Sequence, residues 1–516
     1  MKANVNLNNW YVDQNVYATG FIIHDNSIYR GKGLCEKILE FKNNLNHINS
    51  GEFAAVIIEN GTILLIVDSI RSIPLFYRIT GDTVDVSDDC YAIKKISEPS
   101  LNLLAAKTFL HSGFVHSKET LARNIYQVEA GTIVNISKGS DSVTDYSTSG
   151  IVDLKSKTTD ELFDVLSQVF DDYIKILDGR QAVVSLSGGY DSRLILAMLH
   201  MKKYDNIACY SYGRSTLHEM HTANLIAQKL GYQLVQISYD EILDGAFISS
   251  DDFREYYRYA SNDVSMFYLQ DYFAVSHIKQ NNLIDSDAVI IAGHTGDVIS
   301  GGHLRSFMKA DSQSQSLFIK SIIDIHYDSF SSYTGLQQII AESLDSYDTP
   351  HLWLKYEHWE RKNRQSKFVV NSKRVYDFYG YESLVPLWDK RIIDFFQDLP
   401  FEQKYRSKLY RDTLKELVFE PLRINTSNET HPTTIQLLKQ RFKDHLKTKL
   451  PKSIVSRLVN YSDPYCYAET IEHMRLTGFE FVIPKKKNIW NAYLVQWYLH
   501  KEYNLSSLDI DKIINE

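Results

Sequence analysis

The residues best equipped for chemistry are Ser187-Gly188-Gly189-Tyr190-Asp191-Ser192, which separate an apolar run, Ala182 to Leu186, from a helically spaced stretch, Arg193 to Met201. Glycines let a backbone approach phosphate closely, and the exposed N–H groups and dipole of a helix start favour anions. Ser187 and Ser192 add hydroxyl donors, so the turn is suited to cradling a pyrophosphate. A carboxylate inside it, Asp191, would repel phosphate unless a cation lay between them, which points to Mg²⁺. An ordinary glycine-rich strand-to-helix turn is the alternative.

A second glycine-rich loop, Gly293-His294-Thr295-Gly296-Asp297-Val298-Ile299-Ser300-Gly301-Gly302, follows the apolar run Ala288 to Ala292. The first turn resembles the S-G-G-x-D-S pyrophosphate loop of the asparagine synthetase family, and the second resembles that family's S-G-x-G-G-D-E-x-x-G-G loop. Between them, Ser211-Tyr212-Gly213 followed by Glu219 and Ala223 resembles the adenosine-binding strand and its helix. Downstream, Glu382-Ser383-Leu384-Val385-Pro386-Leu387-Trp388-Asp389 resembles E-x-R-x-P-x-x-D, and Leu409-Tyr410-Arg411-Asp412 resembles L-L-R-E. The pieces are collinear and extend from about Met1 to Asp412. The resemblance implies an AMP-forming carbon–nitrogen ligase, in which ATP activates a carboxylate as an acyl-adenylate and an amine then displaces AMP. By the same resemblance Asp191 and Asp297 would hold Mg²⁺, while Ser185, Ser187, Gly188, Gly189, Ser192, Tyr212, Gly213, Gly293 and Gly296 would surround the nucleotide.

The departures from the family matter as much. Members that take ammonia from glutamine begin with a nucleophilic cysteine, whereas position 2 here is Lys2. Gly51-Glu52-Phe53-Ala54 and Asp68 to Tyr77 still resemble the glutaminase, with Arg71 in place of a glycine. The first part therefore resembles a degenerate glutaminase acting as scaffold, as in β-lactam synthetases and lasso-peptide cyclases, and the amine is expected to arrive from solution or a second substrate. His294 stands where asparagine synthetases carry Glu and β-lactam synthetases Tyr. An imidazole with pKa near ~6.5 can take a proton from the attacking amine, or it can simply hydrogen-bond the loop. Glu382 is the acidic partner that the resemblance offers it. Lys408 lies one residue from the family's first catalytic lysine, with Arg406 as rival; the second lysine has no counterpart, although Arg423 is available. Val298 replaces a family Glu.

For the substrate, the stretch Phe368 to Leu387 resembles asparagine synthetase-type proteins of bacterial surface polysaccharides, which implies a small-molecule or glycan carboxylate such as a uronic acid. A peptide macrocyclase, a β-lactam-type synthetase or a non-catalytic nucleotide-binding protein are the other readings. A net charge of -8, from 56 basic and 64 acidic residues, disfavours nucleic acid as a partner. The basic stretch Lys439, Arg441, Lys443, Lys447, Lys449, Lys452 and Arg457, and Lys485-Lys486-Lys487, read as solvated faces or as sites for a phosphorylated or anionic partner. Cys35, Cys90, Cys209 and Cys466 form no CxxC pair, the N-terminus lacks a signal-peptide layout, and no run of 18 apolar residues occurs. A cytoplasmic protein without stable membrane insertion is expected; a homodimer stays open.

These groups need a scaffold. With 516 residues and 44% hydrophobic content, two cores are expected. Phe53 to Ile58 and Thr62 to Val67 flank Glu59-Asn60-Gly61, a strong hairpin signal. Thr83 to Val86 and Gly131 to Ile136 read as further strands and Leu101 to Leu110 as a helix, giving a sheet-rich α+β unit. Asp141 to Gly150 reads as a linker. Beyond it, Ala182 to Leu186, Ile207 to Tyr210, Leu234 to Ile237 and Ala288 to Ala292 alternate with helices such as Glu219 to Leu230, which predicts a parallel βαβ sheet. From about Ser314 onward only helices are expected, with a polar tail after Leu505. The resemblance makes these an Ntn-hydrolase-like sandwich over 1–147 and an α/β, adenine nucleotide alpha hydrolase-like synthetase domain with added C-terminal helices over 155–516.

Overall fold

The computed structural model describes residues 1–147, 153–215, 217–309, 314–330, 335–426, 463–485 and 489–515. The Asn-Gly signal produces the hairpin: Ser50–Glu59 and Thr62–Val67 pair antiparallel with Glu59 opposite Thr62. Both turn residues take positive φ, 49° at Asn60 and 77° at Gly61, as a tight hairpin requires. This hairpin lies inside a seven-stranded antiparallel sheet, ordered Ser140–Asp145, Thr132–Ser137, Thr62–Val67, Ser50–Glu59, Val16–His24 and Tyr11–Asp13, with Ser27–Tyr29 also paired to Val16–His24. A four-stranded sheet of Lys2–Asn6, Thr83–Ser87, Phe76–Thr80 and Tyr126–Gln127 packs against it. Ala54, Val56, Leu65, Tyr77, Val84 and Val86 fill the layer between the two.

The expected linker is partly a strand. Ser140–Asp145 pairs along its length with Thr132–Ser137, but it is an edge strand whose side chains are mostly exposed, so it carries no hydrophobic alternation to read. Residues 148–150 of that stretch lie outside the described residues.

The second half is built on a five-stranded parallel sheet, ordered Leu234–Ser238, Ile207–Gly213, Ala182–Ser185, Val289–Ile291 and Glu382–Leu384. Parallel sheets are covered on both faces. Val183, Tyr210 and Ile290 point into one core, and Ala182, Val184, Cys209, Val289 and Ile291 into another. The second core is closed by Tyr190–Met201, His218–Leu230 and Thr159–Leu177. The last of these starts on a reciprocal cap between Thr158 and Glu161.

Two expectations for the C-terminal part need correction. Glu382–Leu384 is an edge strand of the parallel sheet; at three residues it is too short to show a period. Ser507–Asn515 is a helix, not a polar tail, and buries Ile510, Ile513 and Ile514. These isoleucines share a core with Leu110 of the helix Leu103–Ser112, so the first part of the chain and the C-terminal helices pack together. A buried ion pair, Lys373 Nζ to Glu52 Oε2 at 2.9 Å, also joins the two parts. Among the described residues no helix is long and apolar enough to cross a membrane. All four cysteines are buried and free. The basic stretch 439–457 and Lys486-Lys487 lie outside the described residues.

Candidate active site

Parallel strands deliver their following loops to one edge of the sheet, and ligands of such sheets bind there. The turn after Ala182–Ser185 runs straight into the helix Tyr190–Met201, with Gly189 at its N-cap position. Its two serines brace each other: the Oγ atoms lie 2.9 Å apart, the Ser187 N–H donates to Ser192 Oγ at 3.0 Å, and the Gly189 N–H donates to Ser187 Oγ at 3.2 Å. The turn is thus preorganised at the start of a twelve-residue helix.

The loop after Val289–Ile291 packs directly on this turn, and glycine makes the approach possible. A Cβ on Gly293 would lie 2.9 Å from the Ser192 backbone nitrogen, and one on Gly296 would lie 2.5 Å from Asp191 Oδ1. Thr295 between them adopts a left-handed backbone with φ 75°, which is costly for a β-branched residue. The indole of Trp388 donates to Thr295 Oγ1 at 2.8 Å and holds it there. The result brings Asp297 to Asp191 across 106 residues of sequence, with the Asp297 N–H donating to Asp191 Oδ2 at 3.3 Å. The Tyr410 hydroxyl donates to Asp191 Oδ1 at 2.8 Å.

Burial, and then the charge of Asp297, push the Asp191 carboxyl up to about 7. Two carboxylates bordering one cavity offer hard oxygen donors that a divalent cation neutralises, so the residues fit Mg²⁺, whose remaining positions water and phosphate oxygens commonly fill. The two aspartates border a cavity of about 420 Å³, to which Ser185, Ser187, Gly189, Ser192, Tyr212, Gly293 and His294 also contribute. Gly188 packs on Thr222, where a Cβ would come within 3.2 Å. Gly213, with φ 129°, leaves room for the carbonyl of Pro464.

His294 borders the cavity but has a different partner from the one expected. Its ring lies against the Ser372 hydroxyl, 3.1 Å from Nε2, and burial followed by the charge of Lys373 lowers it to about 4. Glu382 does not reach it. Both Glu382 oxygens are engaged elsewhere, with Arg30 at 2.6 Å and Arg180 at 2.7 Å, and the residue borders a separate cavity against the N-terminal sheets. Lys408 is exposed at the start of the helix Lys408–Thr413 and does not border the cavity of Asp191 and Asp297. Of the expected site residues, Glu382 and Lys408 are the two that the fold carries away, because strand pairing fixes one and a helix start the other.

The structure adds residues for which the sequence offered no role. Tyr410 lies within the noted Leu409-to-Asp412 segment, and its neighbour Arg411 places its guanidinium 5.2 Å from the ring of Tyr190, which borders the cavity. Asp271 and Tyr376 also border it, with the Tyr376 hydroxyl donating to Asp271 Oδ2 at 2.5 Å.

Residues 177–423 match the family model for asparagine synthase. No curated protein matches the chain. Among solved structures the chain is similar to an NH3-dependent NAD synthetase from Campylobacter jejuni subsp. jejuni at 13% identity, over 41% of this chain and 98% of that one, with a TM-score of 0.24, a likeness too slight to build on. The turn, the two aspartates and the parallel sheet that carries them all fall inside the matched span, and residues 177–423 of this chain are an asparagine synthase domain.

Proposed function

We propose that this chain is an ATP-dependent amide ligase that forms an acyl-adenylate and passes the acyl group to ammonia or an amine. The observation that carries the reading is the meeting of Asp191 and Asp297 beside a helix-start turn, on one cavity at the carboxyl edge of a parallel sheet. In the first step a substrate carboxylate oxygen attacks the α-phosphorus of ATP and pyrophosphate departs. In the second, the amine, having given up its ammonium proton to solvent, attacks the acyl carbon with its lone pair, the bond from the acyl carbon to the AMP oxygen breaks, and the nitrogen's remaining excess proton passes to the departing phosphate or to solvent. Ser187 to Ser192 hold the departing pyrophosphate through the turn's N–H groups and hydroxyls. Asp191 and Asp297 hold Mg²⁺, which when bound offsets the negative charge of the phosphates. Ser185, Tyr212 and Gly293 line the cavity that would receive the nucleotide.

His294, kept neutral, serves better as a hydrogen-bond acceptor than as a strong base. We read residues 1–147 as a glutaminase-like scaffold without glutamine hydrolysis, and 155–516 as the ligase unit. A uronic acid is the carboxylate to test first, on the resemblance carried by residues 368–387.

Exchange of labelled pyrophosphate into ATP, measured across a panel of carboxylates, tests the reading and identifies the acid. Exchange should require Mg²⁺ and disappear in Asp191→Asn. Full exchange in that variant, or no Mg²⁺-dependent ATP affinity in the native chain, would overturn the proposal.

A further inference from the structure

We propose that Asp271, with Tyr212 and Tyr376, forms a subsite for a cationic amine on the wall of the cavity that Asp191 and Asp297 also border. Its assignment to the nitrogen substrate rests on the ligase reading above; its preference for an ammonium group does not.

The wall's composition points to a cation. Among the described residues no lysine or arginine borders this cavity, whereas Asp271 and Glu219 do, together with Tyr268, Tyr376 and Tyr465. Asp271 is 3% exposed. Five other buried carboxylates face a lysine or arginine within 2.9 Å: Glu52 faces Lys373, Asp172 faces Arg391, Asp263 faces Lys94, Glu360 faces Arg364 and Asp389 faces Arg391; Asp85 accepts from the Asn4 amide with Arg78 at 3.9 Å, and Asp463 accepts from the backbone N–H groups of Tyr465 and Ala468. Asp68 is held instead by backbone N–H groups of Phe53, Ile70 and Ser72. Asp271 has none of these arrangements. Its oxygens accept from the hydroxyls of Tyr212 and Tyr376, and it borders open space.

Phenol donors fix the carboxylate's orientation without neutralising it, and a buried carboxylate without a counter-charge is costly. Burial indeed pushes this carboxyl up to about 7. An ammonium group entering the cavity would supply the missing charge, and the aromatic rings of Tyr268, Tyr376 and Tyr465 border the same space. The side chains are also arranged to hold still. The ring of Tyr212 stacks between Tyr210 and Tyr239, with centroids at 6.0 and 5.5 Å. Gln270 donates to the Tyr212 hydroxyl at 3.3 Å and accepts from Tyr268 at 2.8 Å. The same wall rejects a second anionic group on either substrate, because it offers it no cation and two like charges.

The test is calorimetric titration of the full chain at pH 8 with methylammonium chloride, sodium acetate and glycerol, each with and without MgATP. Methylammonium should bind saturably and more tightly than the other two, and Asp271→Asn should weaken it by about tenfold or more. Equal or tighter binding of acetate or glycerol to the native chain, or no saturable methylammonium binding, would overturn the subsite even if the variant failed to fold. A folded Asp271→Asn chain that binds methylammonium as the native one does would also overturn it. The two readings separate cleanly: MgATP affinity without methylammonium binding removes the subsite alone. Methylammonium binding without MgATP affinity leaves the cation site and removes the ligase.

Discussion

Substituting Gly296 by alanine isolates the contact on which the candidate site depends. Gly296 does not have a left-handed backbone, so alanine imposes no conformational strain of its own. The added Cβ would lie 2.5 Å from Asp191 Oδ1 and 2.6 Å from the Tyr410 hydroxyl. Ordinary contact needs roughly 3.5 Å, so the carboxylate or the loop must move by about 1 Å. Asp191 cannot swing freely, because Tyr410 and the Asp297 N–H hold its two oxygens. A displacement of about 1 Å in a positioned site commonly costs about a hundredfold in rate. Pyrophosphate exchange should therefore fall by about that factor, with Mg²⁺-dependent ATP affinity reduced alongside it, and the thermal midpoint should fall as well because Gly296 is buried and the added methyl overpacks its surroundings. Exchange and ATP affinity matching those of the native chain would show that the two loops do not act together, and the metal assignment would fall with them.

Further outcomes follow from buried charges. Lys373→Met should destabilise the protein by about 3–5 kcal/mol in urea unfolding, since it leaves Glu52 buried without its partner; the double variant with Glu52→Leu should recover much of that loss, and an additive result would deny the pairing. His116 is buried, accepts from the Trp359 indole at 3.2 Å, and is lowered to about 3 by burial and then by Lys367. The unfolded chain takes up this proton first, so stability should fall by roughly 1.4 kcal/mol per pH unit as pH drops from about 6.5 toward 3; His116→Gln should show a shallower slope, and an unchanged slope would count against it. Glu382→Gln should leave the pH dependence of pyrophosphate exchange as it is and lower stability instead, through Arg30 and Arg180; a shifted pH profile would restore the catalytic role first expected of it.

Local chemistry decided much of this protein in advance. Asn60-Gly61 specified a hairpin because its turn needs two positive φ angles, and the strand–glycine–helix order around Ser187 to Ser192 specified a turn that runs straight into a helix, the geometry proposed here for an anion. The alternation of apolar runs and helices likewise announced the parallel sheet. What sequence could not decide were encounters between distant residues. Nothing local says that Tyr410 backs Asp191, that Glu382 is drawn to Arg30 and Arg180 rather than His294, or that Asp271 meets two tyrosines without a cation. Short or exposed elements were equally silent: Glu382–Leu384 and Ser140–Asp145 owe their place to backbone pairing, which side-chain patterns do not record. Residue types announce which chemistry is available, but charge partners and burial, which set the role each group can play, exist only once the chain has brought its distant parts together.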